Sequence, residues 1–85
     1  MLFRYRQDVL NHLAGHGIVP KPTTSPQVAR GLLNEIYRYE LRRLRDRLLL
    51  QEFPNSAYLE KVVEIRNRYR VMALPARLWV EGQDL

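Results

Sequence analysis

Cysteine is absent from this chain of 85 residues, and lysine is scarce, with only Lys21 and Lys61. Without cysteine the chain can form no disulfide, no thiolate metal site and no cysteine nucleophile. A chain that lacks disulfides is consistent with a reducing compartment, and we expect a cytoplasmic protein. Glycine is also infrequent, and its four positions do not form a phosphate-binding loop.

Long apolar runs and catalytic constellations are missing as well. No stretch approaches the ~20 apolar residues of a membrane span. Charges interrupt Met1–Arg6 at once, so we expect no secretory signal and no membrane contact. The only serines, Ser25 and Ser56, lie where helix caps are needed. We therefore expect no enzymatic activity, no cofactor and no small-molecule substrate.

Asp8, His12 and His16 recur every four residues and form the one candidate metal constellation. Two histidines at this spacing on a helix can share a metal ion. A zinc site needs three or four ligands, however, and the glycines at 15 and 17 interrupt the helix before His16. We expect a solvated His12, a His16 that interacts with the helix C-terminal dipole, and no bound metal.

Apolar residues at helical spacing predict one all-α domain over residues 1–85, with three helices at about 2–14, 26–52 and 57–70. Ser25-Pro26 is a helix start signal, and Phe53-Pro54 is a stop signal. The central helix is therefore about twice as long as either neighbour. The first helix is expected to end at Gly15-His16-Gly17, where a glycine just past the last turn closes it in a left-handed conformation.

The C-terminal segment 71–80 is too apolar to remain in water. We expect it to pack across the helices, with Trp79 as its anchor. Residues 81–85 are expected to be disordered, because they are polar and terminal.

The central helix carries charges where a simple surface helix would be apolar. One apolar stripe consists of Leu33, Tyr37, Leu41, Leu44 and Leu48. A second consists of Leu32, Ile36, Tyr39 and Leu50, and Glu40 lies between the two stripes. A buried carboxylate must be paired, so we predict a buried ion pair with Arg66 of the third helix, or with Arg47 of a second copy. In the alternative, long side chains on this arc extend their charged ends to water.

The length of the central helix favours a protein partner. Its neighbours are too short to cover both stripes, and an uncovered apolar patch usually marks an interface. We therefore expect a small interaction module that self-associates as a homodimer or docks on a larger protein. The residues expected at this interface are Tyr39, Arg43, Arg47 and Leu50.

The net charge of +5 supports the alternative, a nucleic-acid-binding protein. Arginine binds phosphate through two parallel hydrogen bonds, and the candidate residues are Arg38, Arg42, Arg45, Arg66, Arg68 and Arg70. Two acids, Glu35 and Asp46, lie within three or four residues of these arginines and reduce the positive electrostatic potential around them. The excess of arginine over lysine also fits a GC-rich genome.

Overall fold

The computed structural model describes residues 1–84, with the backbone alone for 82–84. The chain is mostly helical, as predicted, and also has a small two-stranded sheet. The elements in chain order are strand β1 (Leu2–Tyr5), helix α1 (Gln7–Ala14), helix α2 (Pro26–Leu49), helix α3 (Tyr58–Asn67) and strand β2 (Val80–Asp84). Short 3-10 turns occupy Asn55–Ala57, Arg70–Ala73 and Ala76–Trp79.

The sheet corrects the prediction at both ends of the chain. Residues 2–5 are strand rather than helix, and residues 81–84, expected to be disordered, belong to β2; Leu85 lies outside the described residues. The strands are antiparallel, with Leu2 opposite Asp84 and Tyr5 opposite Val80. Phe3 and Tyr5 alternate inward with a period of two, which suits a strand. The partner strand is almost 80 residues away, so a helical pattern read in one local window could not reveal it.

The connector between α1 and α2 runs along the free edge of β1. The backbone N–H of Phe3 donates to the Pro22 carbonyl at 2.8 Å, and the Tyr5 hydroxyl donates to the Thr24 carbonyl at 2.6 Å. Gly17 closes α1 with a φ of +80°, and Ile18 then folds back into the core. These bonds attach the connector to the same end of the molecule as the sheet.

Helix α2 starts and ends with identifiable caps. The Ser25 hydroxyl accepts a hydrogen bond from the Val28 N–H at 3.2 Å, which satisfies a donor at the helix start. The helix ends at Leu49, three residues earlier than predicted. Gln51 takes a φ of +58°, and the Glu52 N–H donates to the Arg47 carbonyl at 3.0 Å. This bond pattern is typical of helix C-termini in which the left-handed residue is usually a glycine.

The segment after α3 packs against α1 and α2. Trp79 is fully buried, and its indole N–H donates to the Val71 carbonyl at 3.2 Å. Arg30 of α2 donates to the carbonyls of Met72 at 2.8 Å and Leu74 at 3.3 Å. The tail is therefore fixed both by an aromatic anchor and by arginine hydrogen bonds.

The molecule is elongated, with extents of 53 × 17 × 15 Å and a radius of gyration of 15.5 Å. A compact chain of this length would have a radius of gyration of about 12 Å. Its accessible surface is 6176 Å², whereas a folded monomer of this mass ordinarily exposes about 5,300 Å². The cause is the hairpin formed by α2 and α3, here called the arm, which extends beyond the packed end that contains Trp79. Within α2, no residue after Leu44 is buried.

Candidate interface on the central helix

One face of α2 has no covering element. Residues that alternate in steps of four and three along a helix share one face. Six such positions form what we call the α2 strip: Leu32, Ile36, Tyr39, Arg43, Asp46 and Leu50. The strip runs about 27 Å along the helix and its C-cap, at 1.5 Å per residue. It contains three of the four residues that the sequence placed at an interface.

The apolar members of the strip are exposed. Leu32 is 52% exposed, Tyr39 54% and Leu50 73%, and Ile36 is partly covered. The Arg43 guanidinium carbon lies 5.9 Å from the centre of the Tyr39 ring, within the range of a cation–π contact. The strip therefore combines exposed apolar side chains with a charge that is held close to one of them.

A groove of about 490 Å³ lies beside the strip, between α2 and α3. Glu40 and Leu44 contribute from α2, and Ile65, Arg68 and Tyr69 contribute from α3 and its end. Tyr39, Arg43 and Arg47 form the α2 side of the groove, together with His16 from the loop after α1. Anything seated on the strip would also contact the rim of this groove.

Stacked rings close one end of the groove. The His16 ring lies 4.2 Å from the Tyr69 ring, which in turn lies 4.9 Å from the Tyr37 ring. His16 Nε2 is 2.7 Å from the Arg68 carbonyl, which fixes the imidazole in place. Burial raises the pKa of Tyr69, and the neighbouring Glu40 carboxylate raises it further. Tyr69 therefore stays neutral at physiological pH and contributes packing rather than charge.

The ion pair at Glu40 differs from the prediction. Glu40 Oε1 accepts a hydrogen bond from Arg68 Nη2 at 3.4 Å, whereas Arg66 is exposed and lines a hollow with Tyr37 and Arg70. Residues two apart on a helix point in nearly opposite directions, so Arg66 and Arg68 lie on different sides of α3. The Glu40 side chain is also one-third exposed, so the pair is not buried.

Arg47, the fourth predicted interface residue, lies on the groove side of the strip. Its Nε lies 3.2 Å from Glu52 Oε1, and its guanidinium carbon lies 5.5 Å from the Phe53 ring centre. Lys61 reaches the same ring from α3, at 5.0 Å. These contacts order the end of the arm but leave Leu50 beside them uncovered.

The arginines named for nucleic-acid binding do not form one surface. Arg38, Arg42 and Arg45 share an exposed face of α2, and Arg38 lies 3.9 Å from Glu35, the intrahelical partner predicted for it. Arg68 is instead in the groove with Glu40. The structure thus divides the six residues between two sides of the arm.

The histidines of α1 and the loop after it do not form a metal site with Asp8. The rings of His12 and His16 are 5.3 Å apart, and the Asp8 carboxylate contacts Arg6 at 2.9 Å. Across residues 1–81, whose side chains the structure describes, no group of three His, Cys, Asp or Glu side chains is arranged to hold a metal ion. None of the helices in this part of the chain has the length and apolarity of a membrane crossing.

No known protein family, curated protein or solved structure matches this chain. The functional argument therefore depends on the geometry of the strip and the groove.

Sequence reasoning missed Arg68 as the partner of Glu40, and it did not place Asp46 on the strip. The sequence carries no signal that separates Arg68 from Arg66. Ile65 and Tyr69 are both buried and define the inner face of α3, and the two arginines flank that face on opposite sides. The position of Asp46 on the strip could have been predicted, because alternating steps of four and three residues from Leu32 lead to it.

Proposed function

We propose that this chain is a non-enzymatic protein–protein interaction module that binds through the α2 strip, to a second copy or to a helix of a larger protein. The observation that carries the proposal is the exposure of Leu32, Tyr39 and Leu50 along one uncovered face. Monomeric proteins seldom leave several large apolar side chains open along one face, and such faces usually mark interaction sites.

The surface area of the molecule supports the same proposal. The chain exposes about 900 Å² more than a typical monomer of its mass. One partner of a standard protein–protein interface buries about 800 Å². Burial of a leucine side chain such as Leu50 contributes about 1.5–3 kcal/mol toward association.

A nucleic-acid role is the alternative, and one observation favours it. Arg66 and Arg70 surround a hollow of about 530 Å³ together with Tyr37, which offers two cations and an aromatic ring. Affinity for a labelled DNA or RNA would then fall steeply as salt is raised. Salt-sensitive binding of micromolar affinity or tighter, lost on substitution of Arg66 and Arg70, would place this role first.

The test of the proposed function compares two leucines that are equally exposed. Leu50 lies on the strip and Leu59 lies on α3, and both are 73% exposed. We expect Tyr39→Ser/Leu50→Ser to abolish association, and Leu59→Ser to leave it unchanged. The measurement is the mass in solution by sedimentation over a concentration series, with helix content recorded by circular dichroism.

The wild type is expected to approach twice 10.1 kDa as its concentration rises. A double variant that unfolds would show that Tyr39 and Leu50 belong to the core, which would end the proposal. A wild type that stays at 10.1 kDa would restrict the proposal to docking on a different protein.

A further inference from the structure

Two charges on the α2 strip have no opposite charge beside them. Arg43 and Asp46 are both exposed, and among residues 1–81, whose side chains the structure describes, neither has an ion-pair partner. Other charges of α2 are engaged: Arg38 is near Glu35, and Arg47 contacts Glu52. A cation and an anion three residues apart at the centre of an apolar strip are complementary to the same strip running in the opposite direction.

Symmetry restricts how two copies of the strip can meet. In a two-fold pair, if residue i contacts residue j, then j contacts i. For two antiparallel helices, the numbers of facing residues therefore add to one constant. Strip positions alternate in steps of three and four, so the pattern repeats every seven residues. The strips of the two copies therefore face each other only for a series of constants spaced seven apart.

The constant 89 matches both the charges and the apolar residues. It places Arg43 opposite Asp46 of the second copy, twice by symmetry, and Tyr39 opposite Leu50. On the groove side it brings Glu40, which is one-third exposed, close to Arg47 of the second copy. Within the strip, both charges therefore face an opposite charge.

The neighbouring registers leave the strip charges unmatched. The constant 82 places Arg43 opposite Tyr39 and Asp46 opposite Ile36 of the second copy, and the constant 96 places Asp46 opposite Leu50. The constant 75 requires Asp46 of the second copy to approach Ala29, which is fully buried under other side chains of its own chain. Steric and electrostatic terms thus select the same register.

We propose that two copies of this chain pair antiparallel along α2, with Arg43 against Asp46 and Tyr39 against Leu50 of the second copy. The inference rests on the proposed function, because it names the partner and the register of the same strip. The arms of the two copies then lie side by side, and each packed end points away from the two-fold axis.

Charge exchange tests the register. Arg43→Asp places two acids opposite each other and Asp46→Arg places two arginines opposite each other, so each single variant should weaken association about tenfold or more. Arg43→Asp/Asp46→Arg should associate like the wild type, as should an equimolar mixture of the two single variants. Arg45→Asp makes the same charge change outside the strip and should have little effect.

A second measurement uses the absence of cysteine. Tyr39→Cys and Leu50→Cys are each expected to oxidise poorly alone, because Cα atoms of residue 39 in the two copies would be about 16 Å apart along the axis. Their mixture should form a disulfide between residues 39 and 50, since bridged Cα atoms lie about 4.4–6.8 Å apart. Each cysteine variant oxidised alone therefore serves as a control for the mixture.

The outcomes separate the register from the proposed function. If the double charge variant associates no better than the single variants, and the cysteine mixture does not cross-link, the register is wrong. In that case, loss of association in Tyr39→Ser/Leu50→Ser would still support the strip as an interface. A wild type that stays monomeric at every concentration would overturn self-association itself.

Discussion

The two ends of α2 pass through different surroundings. Near its start, Ala29 and Leu33 are fully buried, and the C-terminal 3-10 turns pack against α2. Near its end, Leu49 and Leu50 are about 70% exposed, and α3 lies beside the helix. Helix α2 thus belongs to the core near its start, still buries Leu44, and projects with α3 beyond that residue. The packed end can supply stability, while the arm presents exposed side chains.

The largest expected effect comes from truncating one leucine at each end of α2. Leu33→Ala should lower the free energy of unfolding by about 2–5 kcal/mol, because it leaves a cavity in a fully buried site. Leu49→Ala should change it by less than about 0.5 kcal/mol, because that side chain is in water. Chemical denaturation at low protein concentration measures both, and equal losses would contradict the division into a packed end and an arm.

A smaller pair of effects concerns how α1 and α2 end. Gly17→Ala should lower the free energy of unfolding by about 1–2 kcal/mol, since φ is +80° there and a side chain is strained at that angle. A Cβ at Gly17 would contact nothing within 4 Å, so the loss would be conformational. Gln51→Gly should raise the free energy of unfolding by up to about 1 kcal/mol, by relieving that strain at the end of the arm. Thermal melts of both variants check the opposite signs.

The smallest effect is a pH dependence confined to the packed end. Burial lowers the pKa of His12 below its usual 6.5, and the neighbouring charges of His16 and Arg70 lower it further. Its Nε2 is buried with no hydrogen-bond partner among the described residues. The unfolded chain therefore binds a proton first as the pH falls below about 6.5, and the free energy of unfolding decreases from there down to the folded-state pKa.

Melting temperatures of the wild type and His12→Gln, compared between about pH 7.5 and 5.5, measure this term before most carboxylates titrate. The wild type should lose more stability than the variant over that range. Identical slopes would show that His12 does not carry the dependence.

Local signals predicted a mostly helical chain and missed both strands. A cap at Thr24 or Ser25, Pro26 in the first turn and a left-handed glycine after α1 each follow from backbone chemistry within a few residues, so a single sequence indicates them. The pairing of residues 2–5 with 80–84 depends on contacts across the whole chain. No periodicity within a short window contains that information.

The candidate site was predictable only in part, for the same reason. Helical spacing identified Tyr39 and Leu50 as a stripe that the rest of the chain could not cover. The partner of Glu40 depended on how α3 rotates about its own axis, which the packing of Ile65 and Tyr69 sets. If α3 were rotated by the angle between residues two apart, Arg66 would take the place of Arg68. Helix propensity carries no information about this rotation.

The pairing of β1 with β2 also has a consequence for synthesis on the ribosome. The arm needs only residues 26–67 and can form its helices while the remainder is still being made. The packed end must wait for Trp79 and for β2, because β1 has no strand partner until residues 80–84 emerge. Contacts of such long sequence separation form slowly. During that delay α2 would expose the side chains that later form the core, Ala29 and Leu33 among them.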